Sequence, residues 1–176
     1  MEKSMKKIII IFSVLVSTLF AYTQLHTPHN TSKLDTTPYA ELSKTSKKEV
    51  DCLALNMYRE AGVEETHGMI AVALVTMNRL KAQGFPDTVC KVVQQKTKST
   101  CQFSWVCLNR LPRIDQKIYN YTRELATYVF LNHTLIADTT NGALFYHADY
   151  VNPRWKKLEV TTKIGRHIFY KPIGEI

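Results

Sequence analysis

The stretch "THGMIAVALVTMNRLKAQG", Thr66 to Gly84, decides how the rest of the chain is read. Between Met69 and Met77 only Thr76 is polar, so a helix here is apolar nearly all round. Such a helix belongs at the centre of a domain, because none of its faces gains from contact with water. Thr66 is placed to cap its start and Gly84 to stop it. The other elements must then pack around it.

Upstream, "EVDCLALNMYREAG" (49–62) sets Val50, Leu53, Ala54, Met57 and Ala61 at helical spacing. Arg59 points away from that stripe, Glu60 lies at its shoulder beside Leu53 in projection, and Gly62 is a natural stop. Downstream, "FPDTVCKVVQQ" (85–95) predicts a short third helix after Pro86. "DQKIYNYTRELATYVFLNH" (115–133) predicts a long fourth one carrying Ile118, Tyr121, Leu125, Tyr128 and Val129. The character then changes. "NGALFYH" (141–147) is a turn dipeptide followed by a short apolar run, and "LEVTTKIGRHIFYK" (158–171) alternates around Gly165 as a hairpin does. The predicted class is α+β, mainly helical, with a small β lobe and no internal repeat.

A chain of 176 residues with 45% apolar content has room for one ordinary domain and excludes wholesale disorder. At the amino terminus Lys3, Lys6 and Lys7 precede "IIIIFSVLVSTLFAY" (8–22), fifteen uncharged residues. That run is shorter than the roughly 20 residues a membrane span needs, so residues 1–22 read as an export signal. Ala21 offers a small residue for cleavage, Leu19 is a poor partner for it, and an uncleaved anchor is the rival reading. Either way the remainder is expected outside the cytoplasm, in the periplasm, in the cell wall or secreted. Residues 23–48 are rich in Thr, Ser, Lys and Pro and read as a flexible polar linker or a trimmed propeptide, with the folded domain over 49–176. Cys52, Cys90, Cys101 and Cys107 fit an oxidising compartment and allow three connectivities, of which sequence selects none. The formal charge of +8 becomes +6 once residues 1–21 are removed. Charge of that sign suits an anionic polymer or surface, whether nucleic acid, membrane or wall, and also simple solubility.

Glu60 is the first candidate for chemistry. A carboxylate at the edge of an apolar helix face is partly desolvated, which raises its pKa toward what a general acid needs. The same pattern also fits an exposed residue paired with Arg59. A two-carboxylate glycosidase needs a second acid at a defined separation, and Glu64, Glu65 and Asp149 are the only candidates near recognisable motifs. His133, His147 and His167 are dispersed, and neither a zinc-protease motif nor a serine elbow occurs. Cys101 and Cys107, with five residues between them and no second tight pair, do not match zinc spacing, so neither metal nor cofactor is implied. Within "CQFSWVC" (101–107), Gln102 and Ser104 can hydrogen-bond sugar hydroxyls and amides. Phe103 and Trp105 offer flat faces to sugar rings, although either can equally be core.

Six blocks in order, "ALNMYREA", "GMIAVALVTMNR", "FPDTVCKVV", "CQFSW", "GALFYHADYVNPRW" and "IGRHIFYK", make the chain resemble the spore-cortex-lytic or SleB-type cell wall hydrolase family from about Cys52 to Lys171. The resemblance implies a lysozyme-like, lytic-transglycosylase-like fold. It implies cleavage of peptidoglycan glycan strands between muramic acid and glucosamine units, with Glu60, the glutamate of "YREA", as catalytic acid/base. The glycan strand is then the expected partner, not nucleic acid, and a membrane tether through the amino-terminal segment is compatible with it. By the same match Gln102, Phe103, Ser104, Trp105, Tyr146, His147, Asn152 and Trp155 are expected to line the cleft. Glu64, His167, Phe169 and Tyr170 are expected to support it. A water-using muramidase and a non-catalytic wall-binding module are the alternatives. One departure stands out: where the family has Arg-Gly-Glu-Pro after this block, the chain has Gly62, Val63, Glu64 and Glu65, so the basic residue beside the acid is missing.

Overall fold

In the chain order of its elements, the computed structural model, which describes residues 33–174, carries four α-helices and then a three-stranded sheet. The helices are α1 (Lys44–Ala61), α2 (Thr66–Arg79), α3 (Val89–Val93) and α4 (Gln116–Asn132). The strands are β1 (Phe145–Ala148), β2 (Leu158–Ile164) and β3 (His167–Pro172), in the order β1-β3-β2, antiparallel throughout. The segment read as export signal or anchor, and residues 23–32 of the expected linker, lie outside the described residues. Among the described residues no helix is long and apolar enough to cross a membrane.

α2 is the axis of the packing. One of its sides, with Met69, Val72, Ala73, Leu74 and Met77, joins Val50, Leu53, Ala54, Met57 and Ala61 of α1 and Ala126 and Val129 of α4. Its other side, with Ala71 and Val75, meets Ala143, Ile164 and Phe169 of the β lobe. An all-round apolar helix is what two cores on opposite sides require. α2 ends at Arg79 rather than reaching Gly84. There the backbone bonds tighten from i−4 to i−3 spacing, Lys81 N–H to the Asn78 carbonyl and Ala82 N–H to the Arg79 carbonyl, and the chain turns out through Gly84 at φ +84°. Thr66 is the first residue of the helix, and Glu65 is its N-cap without a side-chain bond.

α1 starts at Lys44, inside the stretch expected to be linker, because Ser43 Oγ accepts from Ser46 N–H at 3.1 Å and caps it. The residues before it are also anchored. Asp35 N–H donates to Asn132 Oδ1 at 2.7 Å, Asn132 Nδ2 donates back to the Asp35 carbonyl at 2.8 Å, and the Tyr39 hydroxyl donates to Asp51. α4, capped by Asp115, buries a different face from the one expected: Thr122, Ala126, Thr127, Val129 and Asn132 point inward while Tyr121 and Tyr128 are exposed. The threonines can go inside because each hydroxyl donates to a carbonyl one turn back, Thr122 to Ile118 at 2.8 Å and Thr127 to Arg123 at 2.9 Å.

The β2–β3 hairpin turns at Gly165, φ +55°, and packs Phe169 fully inside. Two disulfides close the described chain. Cys52–Cys90 ties α1 to α3 across 38 residues, and Cys101–Cys107 closes a loop of sequence separation 6. Chain-entropy reasoning makes the longer loop worth about 4 kcal/mol and the shorter about 2 kcal/mol. Urea unfolding of Cys52→Ala/Cys90→Ala and of Cys101→Ala/Cys107→Ala is expected to show the first pair costing more. Equal or reversed losses would contradict this account.

Candidate active site

Glu60 is the next-to-last residue of α1, half-buried, facing Tyr146 of β1 and Arg79 at the end of α2. Burial pushes its carboxyl up to about 7, while the Tyr146 hydroxyl and the Arg79 charge act in the opposite direction. Desolvation wins. At neutral pH the group is therefore divided between acid and carboxylate.

Arg79 is 1% exposed. Its Nε donates to the Leu144 carbonyl at 2.7 Å, and Nη2 and Nη1 lie 2.9 and 3.2 Å from the Gln102 amide oxygen once that amide is oriented oxygen-inward. The guanidinium also sits over the rings of Phe85, Phe103 and Phe145, 5.3, 5.3 and 5.7 Å from their centroids. Burial draws its pKa down to about 10, against the pull of Tyr146 and Glu60. Arg79 thus stands as a buried cation near Glu60.

Tyr146 has its hydroxyl fully buried, and burial together with Glu60 raises its pKa well above the usual value. That hydroxyl makes no hydrogen bond of ordinary geometry, and neither does the amide nitrogen of Asn56, which is 0% exposed. The oxygen of the same Asn56 amide accepts from Trp105 Nε1 at 3.1 Å. The Tyr146 hydroxyl, the Asn56 amide and the Glu60 carboxyl face one another, with the hydroxyl and the amide nitrogen closed to solvent behind the carboxyl.

Glu64 has a different role. Its side chain is 8% exposed, it accepts from the Arg166 N–H at 3.3 and 3.2 Å, and it lies 3.8 Å from His167 Nδ1. A Cβ on Gly165 would collide with this carboxylate, so the turn needs glycine for space as well as for its positive φ. Glu64 thus pins the hairpin turn to the α1–α2 connection. His167, 6% exposed, has its pKa pushed down by burial, and stands edge-on to Tyr146 at 5.1 Å between ring centroids.

The outer aromatic face of the sheet is a second cluster. His147 Nδ1 contacts the Ala148 carbonyl at 2.8 Å and so carries the proton, leaving Nε2 to accept from the Tyr170 hydroxyl at 2.8 Å. Trp155, 42% exposed, packs on Phe145, His147 and Tyr170. With Gln102 it borders a groove of about 550 Å³. Ser104 and Asn152 are exposed, and the Asn152 oxygen accepts from Arg154 N–H in its own loop.

Of the expected cleft residues, Tyr146 meets Glu60, Gln102 is joined to Arg79 beside it, and Trp105 is joined through Asn56 to Tyr146. Phe103 is corrected: it is 4% exposed, in the core with its face under Arg79, so it offers no open platform to a sugar. Phe169 is likewise core, tilted against Tyr146. Sequence reasoning missed Arg79 and Asn56. Helical spacing held the signal, since Arg79 follows Val72 by seven and Val75 by four, and Asn56 follows Leu53 by three. Among the described residues no group of three or more His, Cys, Asp or Glu side chains is placed to hold a metal ion.

The profile of a family described as Cell Wall Hydrolase matches residues 63–170, a segment that includes Glu64 and begins just after Glu60. Similar curated proteins include a spore cortex-lytic enzyme of Bacillus cereus, 30% identical over 128 residues, covering 72% of this chain and 45% of that enzyme. Another of the same name from Halalkalibacterium halodurans is 30% identical over 131 residues, covering 70% and 35%. One from Bacillus subtilis is 28% identical over 153 residues, covering 83% and 45%. The chain spans less than half the length of these relatives. No solved structure gives a significant match.

The Glu60 environment makes stability depend on pH. In the unfolded chain the carboxyl titrates near 4.5 and in the folded protein at about 7, so the folded state holds the extra proton between those limits. The contribution is whole below about pH 4.5 and lost as pH rises through about 7. Glu60→Gln is neutral at every pH. The thermal midpoint of the wild type relative to this variant is expected to fall steadily from pH 4.5 to 8, and a flat difference would show that Glu60 titrates as an exposed carboxyl.

Proposed function

The chain belongs to the cell wall hydrolase family, and from that membership and the state of Glu60 we propose that it is an exported enzyme cleaving peptidoglycan glycan strands between N-acetylmuramic acid and N-acetylglucosamine. The observation that carries the reading is the burial of the Glu60 carboxyl at the end of α1 beside Tyr146 and Arg79, which pushes it up to about 7. A general acid works best with a pKa near the operating pH, because it must both hold the proton and release it. The names of the relatives agree with a wall substrate. A lysozyme-like arrangement, with the acid at a helix end opposite a β lobe, belongs to the same proposal.

The outcome proposed is that of a lytic transglycosylase with one catalytic carboxyl. Glu60 gives its proton to the glycosidic oxygen, the bond to the muramic C1 breaks, and glucosamine leaves with a free 4-hydroxyl. Positive charge develops on the muramic ring. The Glu60 carboxylate then takes the proton of the muramic C6 hydroxyl, whose oxygen closes on C1. An anhydro ring forms, Glu60 is protonated again, and no water is consumed. The Arg79 charge stabilises the carboxylate between the two steps, and the buried Tyr146 hydroxyl beside it holds the carboxyl in place. What favours one carboxylate over two is the position of Glu64, whose lone pairs face Arg166 N–H and His167 instead of a water beside the bond.

The test is to incubate purified peptidoglycan with the full chain and with Glu60→Gln, and to weigh the fragments by mass spectrometry. Fragments ending in anhydromuramic acid, absent with the variant, are expected. The rate kcat/KM is expected to fall as pH rises above about 7, where the acid form is lost. Reducing ends would make the enzyme a muramidase. Full activity in Glu60→Gln would refute the assignment, and wall binding without fragments would make the chain a binding module.

A further inference from the structure

We propose that the groove between residues 95–102 and Trp155 binds a carboxylate-bearing part of the glycan, and so selects strands by what their muramic residues carry. The proposal rests on the reading of the chain as a glycan-strand enzyme and deepens it. The groove, about 550 Å³, is lined among others by Lys96, Gln102, Phe145, Trp155 and Lys156. None of its lining residues is acidic.

Gln102 has its orientation dictated from behind. A guanidinium can only donate, so the amide oxygen faces Arg79. The amide nitrogen is then left as a donor, suited to a carbonyl or carboxylate oxygen of a ligand in the groove that Gln102 lines. Trp155 is 42% exposed yet braced by Phe145, His147 and Tyr170, at 6.0, 5.4 and 5.5 Å between ring centroids. A flat apolar face held in place suits a sugar ring. Lys96 and Lys156 are both exposed, and among the described residues neither makes an ion pair or a side-chain hydrogen bond. Two unpaired ammonium groups, a fixed amide donor and an indole complement an amino-sugar ring with a carboxylate beside it. A neutral amino-sugar chain would leave both lysines unused. The same carboxylate chemistry has two sources on the wall glycan, the lactyl group of a peptide-free muramic residue and the carboxylates of a stem peptide.

Binding to full-length Glu60→Gln protein, in which the strand stays intact, separates these cases. The probes are a neutral N-acetylglucosamine oligomer, peptide-free glycan strands and peptide-bearing strands of matched length, measured by calorimetry at low and high salt. Carboxylate-bearing strands are expected to bind about tenfold tighter than the neutral oligomer at low salt, with the margin shrinking as salt rises. Adding Lys96→Ala and Lys156→Ala should erase the margin and leave both the affinity for the neutral oligomer and the thermal midpoint unchanged. A gain for peptide-free strands alone would identify the lactyl carboxylate, a gain for peptide-bearing strands alone the stem peptide, and equal gains a groove that takes either carboxylate. Equal binding of all probes, no binding of any, or a margin that survives the lysine changes would overturn the proposal. Failure of the enzyme reading shows itself separately, as wild-type protein that keeps the margin but releases no fragments.

Discussion

Arg79 is a guanidinium with almost no water, and the site is arranged by the need to satisfy it. Burying an unpaired charge costs several kcal/mol, so its nitrogens and the faces of its plane must find partners. The Leu144 carbonyl takes Nε, the Gln102 amide takes the two Nη groups, and three phenylalanine rings surround the plane. These partners come from β1 and the residue just before it, the disulfide-closed loop and the turn after α2. One side chain thereby joins the helical core to the β lobe, and its charge sits close enough to Glu60 to affect it.

The two glutamates that frame the α1–α2 connection show how environment decides what a carboxylate does. Glu64 finds a backbone N–H and serves as a clamp on the hairpin turn. Glu60, four residues earlier, finds a buried hydroxyl without ordinary hydrogen-bond geometry and a guanidinium whose hydrogen bonds go elsewhere. Burial therefore dominates and the proton stays on to about pH 7. A short salt bridge to Arg79 would have lowered the pKa and removed the acid. Satisfying Arg79 with neutral acceptors is what leaves Glu60 protonatable.

Much of the fold is readable in the chain because burial on one helix face imposes a 3.6-residue period that α1 obeys closely, while burial on every side makes α2 a nearly unbroken apolar run. The hairpin is readable because few residues other than glycine fit at Gly165. The errors arise where polar residues are made compatible with burial. Thr122 and Thr127 turn their hydroxyls back onto α4, so tyrosines expected inside lie outside. Ser43 caps α1 within a Ser- and Thr-rich run in which no single residue stands out. Glu60 is marked by its place at the edge of an apolar stripe. Arg79 and Asn56 are not, since an arginine or asparagine at a core position signals its role only once its partners from distant loops are known. The type of Phe103 suits a sugar face and a core equally, and the guanidinium above it decides for the core.

Everything proposed for the site depends on the Glu60 carboxyl carrying its proton near neutral pH. The direct measurement is the titration of that carboxyl in the full chain by carbon-13 NMR, with Glu60→Gln to assign the resonance. A midpoint near 7 is the expected result. A midpoint near the ordinary value of 4.5 would mean that water or Arg79 reaches the group, and would contradict its role as the acid.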